Sequence, residues 1–260
     1  MTIKFLDLKN KNVIISGGSG FLGEQISQAF VEQGSNVFIL DLNKPSLKHK
    51  IHYFKTDITK ESHLKKILNI FKKKKIKIDI LINSAVKDYV PGVENKKKQK
   101  NKLKLENFSE KIWKSDIDVG LKGSFLTTKI FGSYMVKYRN GIILNISSDL
   151  GIVAPNQEIY EGSDFIKPVS YSVVKHGIIG LTKYTASYWA KKNIRCNAIA
   201  PGGIFNNQDK KFISKISKII PIGRMAKKDE YNDLVLFLCS KSSSYITGSV
   251  IVSDGGRTII

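Results

Sequence analysis

The chain has 260 residues, 42% hydrophobic and 25% charged, which is enough apolar material for one sizeable core in a water-soluble globular protein. Its formal net charge of +21 raises the question of an anionic partner, but the lysines fall in scattered short runs at 72–75, 96–98, 210–211 and 227–228. With few aromatics between them, these runs fit a solvated surface and argue against specific nucleic-acid binding. Cys196 and Cys239 show no metal or redox spacing, and the sequence MTIKFLDLKN lacks a secretory apolar segment. No apolar run reaches the length of a membrane span, so a cytoplasmic protein without a membrane partner is expected.

In chain order, a short apolar strand at 13–15 leads directly into Ser16-Gly17-Gly18-Ser19-Gly20-Phe21-Leu22-Gly23. A helical pattern follows through Ile26, Ala29, Phe30 and Val31, with Gly34 as its C-terminal stop. The next strand, 36–40, ends on Asp41, and further strands are predicted at 51–54, 78–82, 141–146, 194–199 and 249–252. Helices are predicted between them at 62–73, 110–138, 169–190 and 228–238. Short apolar strands alternating with helices predict an α/β fold: one doubly wound parallel sheet with helices on both faces, in a single domain over 1–260. The polar segments at 86–107 and 156–168 follow strand ends, where open α/β sheets bind ligands.

The glycine-rich turn lies between a strand and a helix, the context in which it cradles a pyrophosphate. Gly17 permits the tight turn, Gly20 lets the backbone approach the phosphates, and Gly23 lets the helix pack on the sheet. The helix N-terminus adds free N–H groups and partial positive charge. Asp41 at the end of the second strand can accept hydrogen bonds from both ribose hydroxyls of NAD and would repel the 2′-phosphate of NADP. The turn contains no Arg or Lys to reverse that preference. Asp57 after the third strand can either cap the next helix or contact the adenine, and Asn83-Ser84-Ala85 follows the fourth strand beside the expected ribose.

Tyr171 and Lys175 are four apart on a predicted helix and share one face. A phenol titrates near pH 10, too high for base work near neutrality, and a neighbouring ammonium lowers that value. Ser148, just after the fifth strand, can hydrogen-bond a substrate oxygen beside the Tyr171 hydroxyl. The alternative Tyr160 has Asp164 four residues on, the wrong charge for the task.

Six pieces together resemble the short-chain dehydrogenase/reductase family over essentially the whole chain. They are Ser16-Gly17-x-x-Gly20-x-x-Gly23, Asn83-Ser84-Ala85, Asn145-Ile146-Ser147-Ser148, Tyr171-Ser172-Val173-Val174-Lys175, Asn197-Ala198-Ile199-Ala200-Pro201-Gly202 and Asp254-Gly255-Gly256. The resemblance implies a Rossmann-type fold and hydride transfer between NAD and a secondary alcohol or ketone, with Ser148, Tyr171 and Lys175 catalytic. It implies a cofactor site built from Ser16, Gly17, Ser19, Gly20, Phe21, Leu22, Gly23, Asp41, Leu42, Asp57, Ile58, Asn83, Ser84, Ala85, Tyr171, Lys175, Pro201, Gly202, Gly203 and Ile204. No metal is implied. Substrate loops are expected around 86–107, 149–168 and 202–227, and a homodimer or homotetramer built through the long helices.

Departures from the family pattern are also visible. The glycine spacing is that of extended members, often epimerases and dehydratases, and Val86 stands where a glycine is usual. Gly120 occupies the place of the usual fourth catalytic residue, an asparagine, which leaves a catalytically silent NAD-binding scaffold as an alternative. The interval from Ser148 to Tyr171 is longer than usual. The wording around Ser148, Tyr171 and Gly223-Arg224-Met225-Ala226 is similar to oxidoreductases of bacterial flagellin-modification and surface-glycan gene sets. That similarity implies a small-molecule substrate, a sugar or amino-sugar derivative, whose anionic group Lys87, Lys167, His176 or Arg224 would meet.

Overall fold

The structure is a computed structural model that describes residues 5–47, 51–89, 99–163 and 165–260. The strands are β1 (Asn12–Ser16), β2 (Asn36–Asp41), β3 (Ile51–Lys55), β4 (Ile80–Asn83), β5 (Gly141–Ile146), β6 (Ile194–Pro201) and β7 (Val250–Ser253). They form one sheet in the order β3-β2-β1-β4-β5-β6-β7, every pair parallel. The strands are nearly continuous apolar runs because helices cover both faces.

Alternate residues along each strand serve opposite faces. Ile14, Phe38, Leu81, Ile143 and Cys196 face one core with Leu64, Ile67 and Phe71 of α2 (Glu61–Lys73). Val13, Ile15, Val37, Ile39, Ile80 and Leu144 face the other, against Ile26 and Phe30 of α1 (Phe21–Glu32) and Val235, Leu236 and Leu238 of α9 (Asn232–Cys239). The order reverses between β1 and β4, and the crevice at their C-terminal ends is the expected ligand site of such a sheet.

A short helix α3 (Gln99–Leu103) precedes the long helical region before β5. That region runs without interruption through α4 (Glu110–Ile117), α5 (Gly123–Thr127) and α6 (Ser133–Lys137), joined by π-helical stretches at Asp118–Lys122 and Thr128–Gly132. Helix α7 (Val169–Trp189) follows β5, and α8 (Lys210–Lys218) lies in the segment expected to be a substrate loop. The carboxylate of Asp209 starts α8 by accepting from the Phe212 amide at 2.9 Å. Phe212 and Ile216 of α8 join Leu103, Ile159, Tyr160, Phe165 and Met225 in a third, smaller apolar cluster. The last helix begins at Asn232, not 228, because Glu230 is engaged by Arg224 and by the Lys227 amide in a turn. Positions 90–98, part of the expected loop at 86–107, and Asp164 lie outside the described residues. Among the described residues, no helix is long and apolar enough to cross a membrane.

Candidate active site

A cleft of about 640 Å³ runs across the C-terminal ends of the strands. At one end lies the glycine turn. Gly17 has φ +72°, and a Cβ there would fall 2.5 Å from the Cα of Ala85. A Cβ on Gly23 would fall 2.0 Å from the Gly17 carbonyl oxygen. Only glycine fits either position, so the bare turn and the N-terminus of α1 face the cleft together. Gly20 caps α1 without a side-chain hydrogen bond. The first amides of the helix therefore remain suited to an anion.

Asp41 sits at the end of β2, its carboxylate accepting from the amides of Ser19 (3.1 Å) and Asn43 (3.0 Å). These bonds hold the carboxylate at the cleft wall. Asp57 accepts from both the amide and the hydroxyl of Thr59, at 3.0 and 2.7 Å, in a turn ahead of α2. The helix N-cap is Lys60, so Asp57 does not cap it, and it lines the cleft instead. The bare glycine cradle, the helix N-terminus and the fixed Asp41 carboxylate fit the pyrophosphate and ribose of a dinucleotide.

Of the residues expected at the cofactor, Gly17, Ser19, Gly20, Phe21, Leu22, Gly23, Asp41, Leu42, Asp57, Ile58, Ser84, Ala85 and the segment 201–204 line this cleft. Ser16 and Asn83 do not. Ser16 is fully buried and donates to the Ile82 carbonyl at 3.4 Å. Asn83 is spent on a buried network: its Nδ2 donates to Asn145 (2.8 Å) and Thr128 (3.0 Å), while its Oδ1 accepts from Thr127 (2.6 Å). Asn145 in turn donates to Thr182 at 2.8 Å. The network ties β4 and β5 to the helices before β5 and to α7; unpaired, these buried polar groups would be costly.

At the other end of the cleft stand Ser148, Tyr171 and Lys175. Ser148 follows β5, and Tyr171 and Lys175 project from the first turns of α7. The Ser148 hydroxyl stands within reach of Tyr171, where it can donate to the phenolate. Lys175 is 4% exposed, donates to the Ile146 carbonyl at 2.9 Å and lies 5.4 Å from the centre of the Tyr171 ring. Burial pulls Lys175 down to about 8; Asp88 opposes that shift and Lys167 adds to it.

Contrary to the expectation from their spacing, Lys175 does not bring Tyr171 towards neutrality in the free protein. Tyr171 is held well above the ordinary tyrosine value, first by burial and then by Asp88, while the Ser148 hydrogen bond opposes the shift. The desolvation of the phenolate outweighs what an ammonium itself depressed by burial can return. The phenol of the free protein is therefore protonated.

The matches to known proteins agree with this geometry. The family model described as Enoyl-(Acyl carrier protein) reductase matches residues 19–258. A 3-oxoacyl-(acyl-carrier-protein) reductase of Thermotoga maritima is 32% identical, covering 97% of this chain and 99% of that protein. An NAD-dependent glycerol dehydrogenase of Listeria innocua is also 32% identical, over the whole of both chains. A short chain dehydrogenase from Leptospira borgpetersenii with bound NAD+ superposes with a TM-score of 0.87 at 30% identity, covering 99% of this chain and 97% of that one. The chain belongs to the short-chain dehydrogenase/reductase family. It is an NAD(P)-dependent oxidoreductase acting on CH–OH groups, interconverting an alcohol and a ketone.

In this short-chain dehydrogenase/reductase the π-helical stretch Asp118–Lys122 contains Gly120, and a Cβ there would fall 2.5 Å from Cγ1 of Val174. Val174, next to Lys175, thus occupies the room that a side chain at 120 would need. Of the four candidate anion contacts, Lys87 and Lys167 line the cleft. His176 and Arg224 do not, and Arg224 is paired with Glu230 at 2.7 Å. Lys167 stacks its ammonium 3.8 Å from the Tyr171 ring centre and pairs with Asp88 at 2.6 Å. Asp88, Asp149 and Tyr160 fall within the expected substrate loops without having been singled out as functional, and Arg257 lies outside them; all four line the cleft. Arg257 directly follows Asp254-Gly255-Gly256 and Asp149 directly follows Ser148, and that adjacency was the signal available.

Proposed function

We propose that this enzyme uses NAD in preference to NADP and acts on a secondary hydroxyl or ketone of a sugar or amino-sugar derivative, in surface-glycan assembly. The observation that carries the cofactor preference is the Asp41 carboxylate, fixed by the Ser19 and Asn43 amides at the end of β2. A second phosphate there would meet that negative charge in place of a hydroxyl donor. Support for the substrate class comes from the far end of the cleft, where the Lys167–Asp88 and Arg257–Asp149 pairs lie beside Ser148 and Tyr171. A hydroxylated or anionic substrate can hydrogen-bond with such groups, whereas an acyl chain would bury them without compensation. The expected substrate loops supply Lys87, Asp88 and Tyr89, then Leu150, Ile159, Tyr160 and Lys167, and lastly Phe212, Ile216 and Met225 to the cleft wall.

When bound, the nicotinamide supplies the hydride chemistry. Tyr171 is the acid and base at its Oη: it gives its proton to the oxygen of a ketone being reduced, and takes the proton of an alcohol being oxidised. Its protonated state in the free protein suits the first role. Ser148 Oγ orients the substrate oxygen. Lys175, four residues along the same face of α7, keeps a positive charge near the phenol below about pH 8. For assembly, the exposed and mutually stacked rings of Tyr184 and Tyr188 on α7 support a homodimer or homotetramer through the long helices.

The test is fluorescence titration with NADH and NADPH for the wild type and Asp41→Ala, followed by a screen of sugar-derived alcohols and ketones. Preferential NADH binding that Asp41→Ala weakens is the expected result. Tyr171→Phe should then lose turnover by at least roughly 100-fold with NADH affinity unchanged. Equal binding of NADPH would overturn the cofactor preference, and retained turnover in Tyr171→Phe the catalytic assignment.

A further inference from the structure

We propose that Asp149 and Arg257 are a positioning pair that sets the direction of the Ser148 hydroxyl, so that the C-terminal segment of the chain helps to aim the catalytic serine. The inference rests on the reading of Ser148 and Tyr171 as the reacting pair.

Asp149 uses both carboxylate oxygens. Oδ1 accepts from the Ser148 hydroxyl at 2.8 Å and from the Leu150 amide at 2.8 Å. Oδ2 accepts from Nη1 of Arg257. The two residues are 3% and 9% exposed and 108 positions apart in the chain. Engaged at both oxygens, the carboxylate cannot rotate without losing a buried partner. In the free protein the Ser148 proton is directed to Asp149 and its oxygen accepts from the Leu150 amide at 3.2 Å, which fixes the rotamer that keeps the hydroxyl within reach of Tyr171. An arriving substrate oxygen then finds the serine rotamer already selected, and the hydroxyl has only to turn its proton from Asp149 to the substrate.

The placement of Arg257 is itself built. Asp254 accepts from the Gly256 amide at 2.9 Å and the Thr258 amide at 2.7 Å, forming the turn that carries the guanidinium inward. Gly256 adopts φ +89° within that turn and packs against Pro221. A buried carboxylate beside a phenol has an evident cost: Asp149 raises the proton affinity of Tyr171. A buried ion pair also contributes little net stability compared with apolar residues of the same volume. What the pair does provide is a single orientation for the serine it touches.

The experiment uses full-length protein carrying 3-fluorotyrosine, with the Tyr171 fluorine resonance assigned by its loss in Tyr171→Phe. Action through Ser148 predicts that Asp149→Asn and Arg257→Met each shift this resonance, and that Ser148→Ala abolishes the effect of Asp149→Asn in the double variant. Arg257→Lys, which keeps the charge, should shift it less than Arg257→Met. With the substrate found in the screen, kcat should fall roughly 10- to 100-fold in Asp149→Asn while KM and NADH affinity stay within about threefold. Asp149→Asn shifting the resonance equally with and without Ser148 would show a direct field effect and overturn the proposal; so would a resonance unmoved in Asp149→Asn and Arg257→Met. If Asp149→Asn does not fold, Arg257→Lys and Arg257→Met, each with and without Ser148→Ala, give the same comparison. Failure of the underlying assignment is seen separately, as retained turnover in Tyr171→Phe.

Discussion

Lys175 carries the clearest consequence of burial at the scale of one residue. Its value of about 8 in the folded protein lies below the ordinary 10.5 because the charged form is desolvated. Below about pH 8 the folded state holds an ammonium that the unfolded chain would solvate better, which costs stability. Between about 8 and 10.5 the unfolded chain binds more protons than the folded one, so stability attributable to this group rises with pH. Denaturant unfolding at pH 7.5 and 9.5 should show the wild type gaining about 2 kcal/mol relative to Lys175→Met. A pH-independent difference would mean that the ammonium is solvated. The spacing of Tyr171 and Lys175 was legible in the sequence because a helix puts i and i+4 on one face. Their acidities were not, because burial and Asp88 reach these groups from other elements.

At the scale of elements, each strand was legible from apolar runs bounded by polar turns, with ends displaced by at most two residues. Helix α8 lies in a segment expected to be a loop, although Phe212, Ile213 and Ile216 stand at helical spacing; Phe212 and Ile216 of that apolar face pack with Ile159 and Tyr160, about fifty positions earlier in the chain. The absence of a side chain at 120 was equally plain in the sequence, but its complement was not, since Val174 lies 54 positions away on α7. An alanine at 120 would place its Cβ 2.5 Å from Cγ1 of Val174, a β-branched side chain with little rotamer freedom in a helix. Helix propensity favours Gly→Ala by about 1 kcal/mol, whereas overpacking costs about 1–3 kcal/mol. Gly120→Ala should therefore destabilise the wild type and stabilise a Val174→Ala background. A double-mutant cycle of unfolding free energies measures this coupling, and additive effects would show that the two helices do not share this space.

At the scale of the whole molecule, a parallel sheet follows from alternating strands and helices, whereas the reversal of strand order between β1 and β4 is seen only in the structure. The charge balance, by contrast, has consequences that only the structure places. Glu61 is shared by Lys65 and Lys129, and Asp118 by Lys114 and Lys122, so single carboxylates serve two lysines each. Hydrogen bonds to these lysines outweigh the small opposing effect of burial and hold both carboxyls below their usual range. Exposed pairs of this kind contribute little individually. With 43 Lys and Arg against 22 Asp and Glu, repulsion among the excess cations outweighs these attractions. Added salt screens both, but it removes more repulsion than attraction because the cations are in excess. Raising KCl from 20 to 300 mM should therefore increase Tm, by about 2–4 °C for each kcal/mol of repulsion relieved. Differential scanning fluorimetry across that series measures it. A falling Tm would place the paired carboxylates, not the excess cations, in control of the electrostatic free energy of this fold.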